Sequence, residues 1–228
     1  MTYLISDIHG EYWQFLKLLE KIGFSSADKL FICGDIVDKG KNSIKLAKYI
    51  SQMPNAKCIL GNHEYEFLKY YWALMRQSPK NFDGVLKDLQ SYFKEDGYLL
   101  DWELVDWFEG LPYFLEEESF ICVHAGVPLD GKNKILPLDK ATPEQLVYDR
   151  NFKSPELEVK GGKCVFFGHT PTGYLQNGES KIIAYKRQGA AGNSIADFYK
   201  VHLDTGTWLY GVLGCFCVET LKSIYIKN

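Results

Sequence analysis

Along the first sixty residues, apolar and polar positions alternate between two rhythms. Short apolar runs at 3–6, 30–33 and 57–60 read as buried strands, since each is too short for an ordinary helix. Between them, Tyr12, Phe15, Leu16, Leu19 and Ile22 recur at helical spacing over 11–23, with Gly23 as a stop signal. A second helix is predicted over about 43–52. This β-α-β-α-β order predicts parallel strands covered by helices. From Glu64 to about Trp107 the pattern turns helical and aromatic-rich (Tyr65, Phe67, Tyr70, Tyr71, Trp72, Phe82, Tyr92, Phe93, Tyr98, Trp102, Trp107), with breaks expected at Gly84 and Gly97. It reads as a helical insertion over about 64–110, packed on the sheet. After Leu111-Pro112, strands are predicted at 120–123, 164–167, 181–185, 199–203, 207–211 and 215–220. Such a run of strands implies a mixed sheet or a second sheet. No repeat, low-complexity tract or long linker divides the chain, so one domain over 1–228 is expected.

Composition narrows the class. The 228 residues are 46% hydrophobic and 24% charged, which excludes a disordered chain. A net charge of −3 offers no electrostatic footprint for a nucleic-acid duplex or an anionic membrane. No run approaches the ~20 apolar residues of a membrane span. Residues 1–7 lack the basic and apolar regions of a signal peptide. The six cysteines fall in apolar runs without a C-x-x-C pair, and are expected as free core thiols in a reducing compartment. A soluble, cytoplasmic protein is expected, its oligomeric state left open.

The histidines carry the chemical signal. Four of the five follow predicted strands directly, in turns rich in Gly, Asp or Asn: Asp7-Ile8-His9-Gly10, Gly61-Asn62-His63-Glu64, His124-Ala125-Gly126 and Gly168-His169-Thr170. A fifth turn of this kind is Gly34-Asp35-Ile36-Val37-Asp38-Lys39-Gly40. In open α/β sheets such turns converge at the carboxyl ends of the strands. Asp7, Asp35 and Asp38 brought together would shift a pKa strongly or demand cations. Mixed carboxylate, amide and imidazole ligands suit Mn, Fe or Zn. Each motif alone reads more readily as a turn or a helix cap; five in order, each after a strand, do not.

As a set, these motifs resemble those of the calcineurin-like metallophosphoesterases, particularly the small bacterial and phage serine/threonine phosphoprotein phosphatases. Leu111-Pro112, Ile121–Gly126, Val147-Tyr148-Asp149-Arg150, Phe167–Pro171 and Leu203-Asp204-Thr205-Gly206 extend the likeness over nearly the whole chain. The resemblance implies a β-sandwich of two mixed sheets flanked by helices, and two divalent ions, Mn foremost with Fe or Zn as alternatives. Asp7, His9 and Asp35 would hold the first ion, with Asp35 bridging. Asn62, His124 and His169 would complete the second. A hydroxide bridging the ions would be the nucleophile, and His63, oriented by Asp38, the general acid. Arg150, Lys39 and Asn62 would bind substrate phosphate. Only three arginines stand among 26 basic residues, which makes Arg150 the more telling. Lys39 departs from the family's usual Arg: it keeps the charge and loses the bidentate fork.

The implied activity is hydrolysis of phosphomonoesters, foremost phosphoserine or phosphothreonine in a protein, with a small phosphate ester as the simpler partner. Hydrolysis of dinucleoside tetraphosphates is the alternative. His202 receives no role, and residues 173–200, with Lys186-Arg187, read as a plain strand connection.

Overall fold

Alternate residues of the short apolar runs face opposite ways, and this sorts the core into three layers. The computed structural model describes residues 1–77 and 102–228, with 80, 81, 83, 84 and 87 between them. The first strands are β1 (Thr2–Ile5), β2 (Lys29–Ile32) and β3 (Ala56–Cys58), followed by β4 (Phe114–Glu116), β5 (Phe120–Val123) and β6 (Cys164–Phe167). The chain ends with β7 (Ile183–Lys186), β8 (Phe198–His202), β9 (Val212–Cys217) and β10 (Lys222–Lys227). One sheet has the order β10-β9-β1-β2-β3, the other β4-β5-β6-β8-β7. Within the first, β1, β2 and β3 run parallel and β9 and β10 antiparallel; within the second, β5, β6 and β8 run parallel.

Leu4, Phe31, Phe120, Phe166, Val201 and Phe216 meet between the sheets as the sandwich interior. Their sequence neighbours Ile5, Leu30 and Ile32 face outward beneath α1 (Tyr12–Ile22), α2 (Ser43–Ser51), α3 (Asn62–Met75) and α4 (Trp102–Glu109). On the other side, Ile121, Val165 and Phe167 pack under α5 (Pro143–Tyr148), through its Leu146 and Val147. The expected architecture of two mixed sheets flanked by helices is the observed one. All six cysteines are free and buried, as expected of core thiols. No helix among the described residues is long and apolar enough to cross a membrane.

Three expectations need correcting. Residues 207–211, predicted as a strand, form the helical turn α6 (Thr207–Tyr210), because Gly206 and Gly211 at its two ends take left-handed backbone with φ of 70° and 66°. The β propensity of Thr, Trp and Tyr yields to that geometry. The strands β4 and β10 and the helix α5 were not predicted, although in β10 Ile224 and Ile226 alternate with Ser223, Tyr225 and Lys227 as in an edge strand. Gly84 is itself helical rather than a break. Of the predicted insertion over 64–110, α3 and α4 are helical; Phe82, Tyr92, Phe93, Gly97 and Tyr98 lie outside the described residues.

One buried cation ties this fold to the loop that bears Arg150. Lys200 on β8 is fully buried, and its Nζ donates to the carbonyls of Phe152, Ser154 and Leu157 at 2.9, 2.7 and 2.9 Å. Replacing it by Met strands three carbonyls and removes the tether of the segment just after Arg150. Lys200→Met is expected to reduce stability by about 2–4 kcal/mol. The measurement is urea unfolding, with a lowered midpoint at unchanged slope.

Candidate metal centre

The carboxyl ends of the parallel strands deliver the polar groups to one place. Asp7 follows β1, Asp35 follows β2, Asn62 and His63 follow β3 at the start of α3, His124 follows β5, and His169 follows β6. The backbone is bent hard to present them. Asp7, His9, Asp35, Asp38, Lys39 and His169 all have φ between 49° and 72°, the left-handed region that non-glycine residues avoid. Such strain gathers where the surroundings over-determine it, and sites are the usual reason.

Asp35 is the hub. Its Oδ2 lies 3.4 Å from His124 Nε2, 3.7 Å from His9 Nε2 and 3.8 Å from His63 Nε2. Ligand atoms of His9, Asp35 and His63 lie within 4.8 Å of one another, as do those of Asp35, His124 and His169. Asn62 joins the second group, its Oδ1 3.0 Å from His124 Nε2 and 2.7 Å from His169 Nδ1. Asp7 stands apart from the first group. Its carboxylate accepts from Ser6 Oγ, and from the His169 amide at 3.0 and 3.2 Å, so it braces the His169 turn while lining the same cavity as His9.

The donor set fits divalent ions. His124 Nδ1 faces the Cys33 carbonyl at 2.8 Å and His9 Nδ1 the Val37 carbonyl at 3.0 Å. A carbonyl only accepts, so each ring carries a proton on Nδ1, which leaves Nε2 as the atom turned toward Asp35. Lone pairs of two imidazoles, a carboxylate and an amide oxygen thus converge, an arrangement that needs positive charge at its centre. The titration of the groups shows the same demand. Burial opposes charge on His124, but Asp35 and Asp7 pull it up to about 10. Burial alone would raise Asp35, and the three surrounding imidazoles hold it well below the usual carboxylate range. Burial pushes His9 down to about 4, and burial with the adjacent His124 pushes His169 down to about 3, so both present neutral rings to a metal.

His63 is set differently. Its Nδ1 meets Asp38 Oδ2 at 2.6 Å, and its backbone N–H donates to Asp35 Oδ1 at 3.0 Å. Burial lowers its pKa, but Asp35 and Asp38 outweigh that and raise it. Lys39 Nζ lies 3.3 Å from His9 Nε2. Arg150 lines the same cavity, about 220 Å3 in volume. Every residue predicted for the site is therefore at or around the strand ends. His202, given no role, is buried, stacks on Phe167 and bonds the Thr170 carbonyl at 2.6 Å. The basic pair Lys186-Arg187 does not form a phosphate site: Arg187 is spent on the carbonyls of Ala196 and Gly162 at 3.1 and 3.0 Å.

Sequence reasoning missed Glu64, taken as no more than a favourable helix-start residue. Its side chain is fully buried and accepts four backbone N–H groups, from Asp35 at 2.9 Å, Ile36 at 2.7 Å, Val37 at 3.0 Å and Gly61 at 2.9 Å. Gly61 makes this closeness possible, since a Cβ there would lie 2.1 Å from Asp35 Oδ1. The available signal was the spacing Gly61-x-x-Glu64, which puts a carboxylate at the third helical position.

A calcineurin-like phosphoesterase family model matches residues 2–203. The chain is 30% identical over 133 residues to a protein of Aggregatibacter actinomycetemcomitans named symmetrical bis(5'-nucleosyl)-tetraphosphatase; the match takes in 57% of this chain and 45% of that one. It is 34% identical over 130 residues to a protein of the same name from Photorhabdus laumondii, covering 55% and 44%. The chain thus spans less than half the length of these relatives. A solved structure of a candidate diadenosine tetraphosphatase superposes over 100% of this chain and 93% of its own, with a TM-score of 0.70 at 19% identity, which shows the shared fold.

Glu64→Gln is expected to be far from conservative. Each carboxylate oxygen accepts two N–H groups, so either orientation of an amide turns its NH2 onto two donors. A loss of about 2–4 kcal/mol is expected, together with fewer metal ions retained per chain. Thermal unfolding and metal analysis on the same sample check both.

Proposed function

This chain belongs to the calcineurin-like phosphoesterase family, and on that premise we propose that it hydrolyses the central phosphoanhydride of dinucleoside tetraphosphates, releasing two nucleoside diphosphates. The observation that carries the reading is the Asp35-centred cluster, with Arg150 and Lys39 in the wall of the adjoining cavity. The names of the matched relatives favour this substrate class over a phosphoprotein. A two-metal centre is what the family employs. Two divalent ions, when bound, supply the charge that makes a water nucleophilic near neutral pH and offsets charge on the phosphoryl oxygens.

The chain's own groups divide the remaining work. In this reading Asp7, His9 and Asp35 would hold one ion, and Asn62, His124 and His169 would complete the site of the other beside Asp35. Arg150 grips two oxygens of the reacting phosphoryl group with its planar fork. Lys39 adds a single point charge beside it. As the water oxygen bonds to phosphorus, the bond to the bridging oxygen breaks in line. His63, its Nδ1 fixed on Asp38, delivers a proton from Nε2 to the departing oxygen.

The His63–Asp38 pair also favours a second reading, hydrolysis of phosphoserine or phosphothreonine. An alkoxide needs a proton at departure more than a nucleoside diphosphate does, whose terminal phosphate ionises near pH ~6. Chelator-stripped protein with Mn2+ restored, offered diadenosine tetraphosphate and a phosphoserine peptide side by side, separates the two. ADP as sole nucleotide product supports the proposal; phosphate from the peptide with the dinucleotide intact overturns it.

His63→Asn extends the test to the acid. On a phosphoserine peptide the variant is expected to lose about 10²–10⁴-fold in kcat, on nitrophenyl phosphate far less, and on the dinucleotide an intermediate amount. Steady-state kinetics on the three substrates check this, and equal losses on all three would remove His63 from that role.

A further inference from the structure

One side of the phosphate cavity ends in an aromatic rim. Tyr174, Trp208 and Leu209 line it along with His9, Lys39 and Arg150, yet they remain 63%, 51% and 45% exposed. Single exposed apolar side chains need no explanation; three at the mouth of one charged cavity mark a binding surface.

The rim is rigidly mounted. Trp208 and Leu209 sit on α6, between the two left-handed glycines. Tyr210 of the same turn packs edge-on to Tyr174, with ring centroids 6.4 Å apart. Its ring fills space left by Gly173 and Gly206, where a Cβ would lie 2.6 and 2.4 Å from the ring carbons. Thr207 is buried, and Thr205 Oγ1 donates to the Val212 carbonyl at 2.7 Å. Tyr210 therefore anchors the turn while the indole of Trp208 faces solvent.

Size points to what the rim receives. At about 220 Å3 the cavity falls below the ~300 Å3 at which pockets enclose a drug-sized ligand. It admits phosphate groups and little else, so a nucleoside attached to them must leave across the rim. A nucleobase offers a flat, uncharged π-face, which indole and phenol rings stack against without reading its edge.

We propose that Trp208 and Tyr174 form a stacking platform for a nucleobase of the substrate, which makes them specificity-determining residues that favour nucleotide-bearing polyphosphates over bare phosphate chains. This rests on the dinucleoside tetraphosphate reading. Calorimetric binding of ADP and of inorganic pyrophosphate to the Mn2+-loaded protein is the test, run on the unaltered chain and on Trp208→Ala, Trp208→Phe and Tyr174→Ala. The unaltered protein should bind ADP about tenfold or more tightly than pyrophosphate. Trp208→Ala should lose most of that preference, Trp208→Phe should keep it, and the KM for diadenosine tetraphosphate should rise by the factor lost in ADP affinity. Pyrophosphate binding shows in each variant that the centre is still assembled. Equal affinities in the unaltered protein, or a preference that survives both alanine variants, would overturn the platform. Because binding is read apart from turnover, a protein that prefers ADP and leaves the dinucleotide uncut rejects the hydrolase reading while upholding the platform.

Discussion

A single buried carboxylate that accepts four main-chain N–H groups holds the centre together. Glu64 joins the turn after β2, at residues 35–37, to Gly61 after β3. Those turns carry Asp35, Asn62 and His63. Four donors leave the carboxylate with no unmet hydrogen-bonding capacity and offset much of its desolvation. Burial and the neighbouring Asp35 raise its pKa even so, with the N–H groups pulling the other way. Asp35 can then stand fully buried with its Oδ2 committed to no backbone donor, free to face three imidazoles.

That freedom creates the second constraint. Asp7, Asp35, Glu64 and Asp204 are all buried within this crossing of strand ends, and each is compensated in its own way. Glu64 takes backbone amides, and Asp7 takes the Ser6 hydroxyl and the His169 amide. Burial and the Asp7 charge raise Asp204 well above its usual range, and the Gly206 amide donates to it at 2.8 Å. Asp35, ringed by three imidazoles, depends most on cationic or metallated neighbours. The left-handed backbone at Asp7, His9, Asp35, Asp38, Lys39 and His169 is stored strain, of order 1–3 kcal/mol each at most, held by the two packed sheets beneath.

What the sequence disclosed follows from this division. Strand ends advertise themselves: an apolar run stops, and Asp, His, Asn or Gly follows, so Asp7, His9, Asp35, Asn62, His63, His124 and His169 were all legible. Most of the strands were legible as short apolar runs, and the pairing of two sheets came from the family resemblance. Harder to read was any residue whose work depends on a partner distant in sequence. Glu64 looks like a helix-start carboxylate until the turn 28 residues upstream is folded over it. Asp7 reads as a ligand from its turn alone, but nothing near it in sequence reveals that the His169 amide also bonds its carboxylate. Trp208 sits in a segment with strand composition, and only the two glycines flanking it reveal a turn that leaves the indole outside.

Chemistry at phosphorus and choice of substrate therefore live on different parts of the chain. In the proposed reading, the Asp35 cluster would meet a phosphoryl group through the ions it holds, whatever that phosphoryl is attached to. His63 on Asp38, as the proposed acid, would respond to the leaving group, strongly for an alkoxide and weakly for a nucleoside diphosphate. Neither can tell a nucleotide from any other phosphate ester. Discrimination of that kind requires contact with the part of the substrate that never reacts, and a cavity this small puts that part outside. On that reading, substrate identity would be written on the surfaces bordering the centre, in the turn after β8 and in the segment that follows β6, while the strand ends hold the proposed hydrolytic machinery.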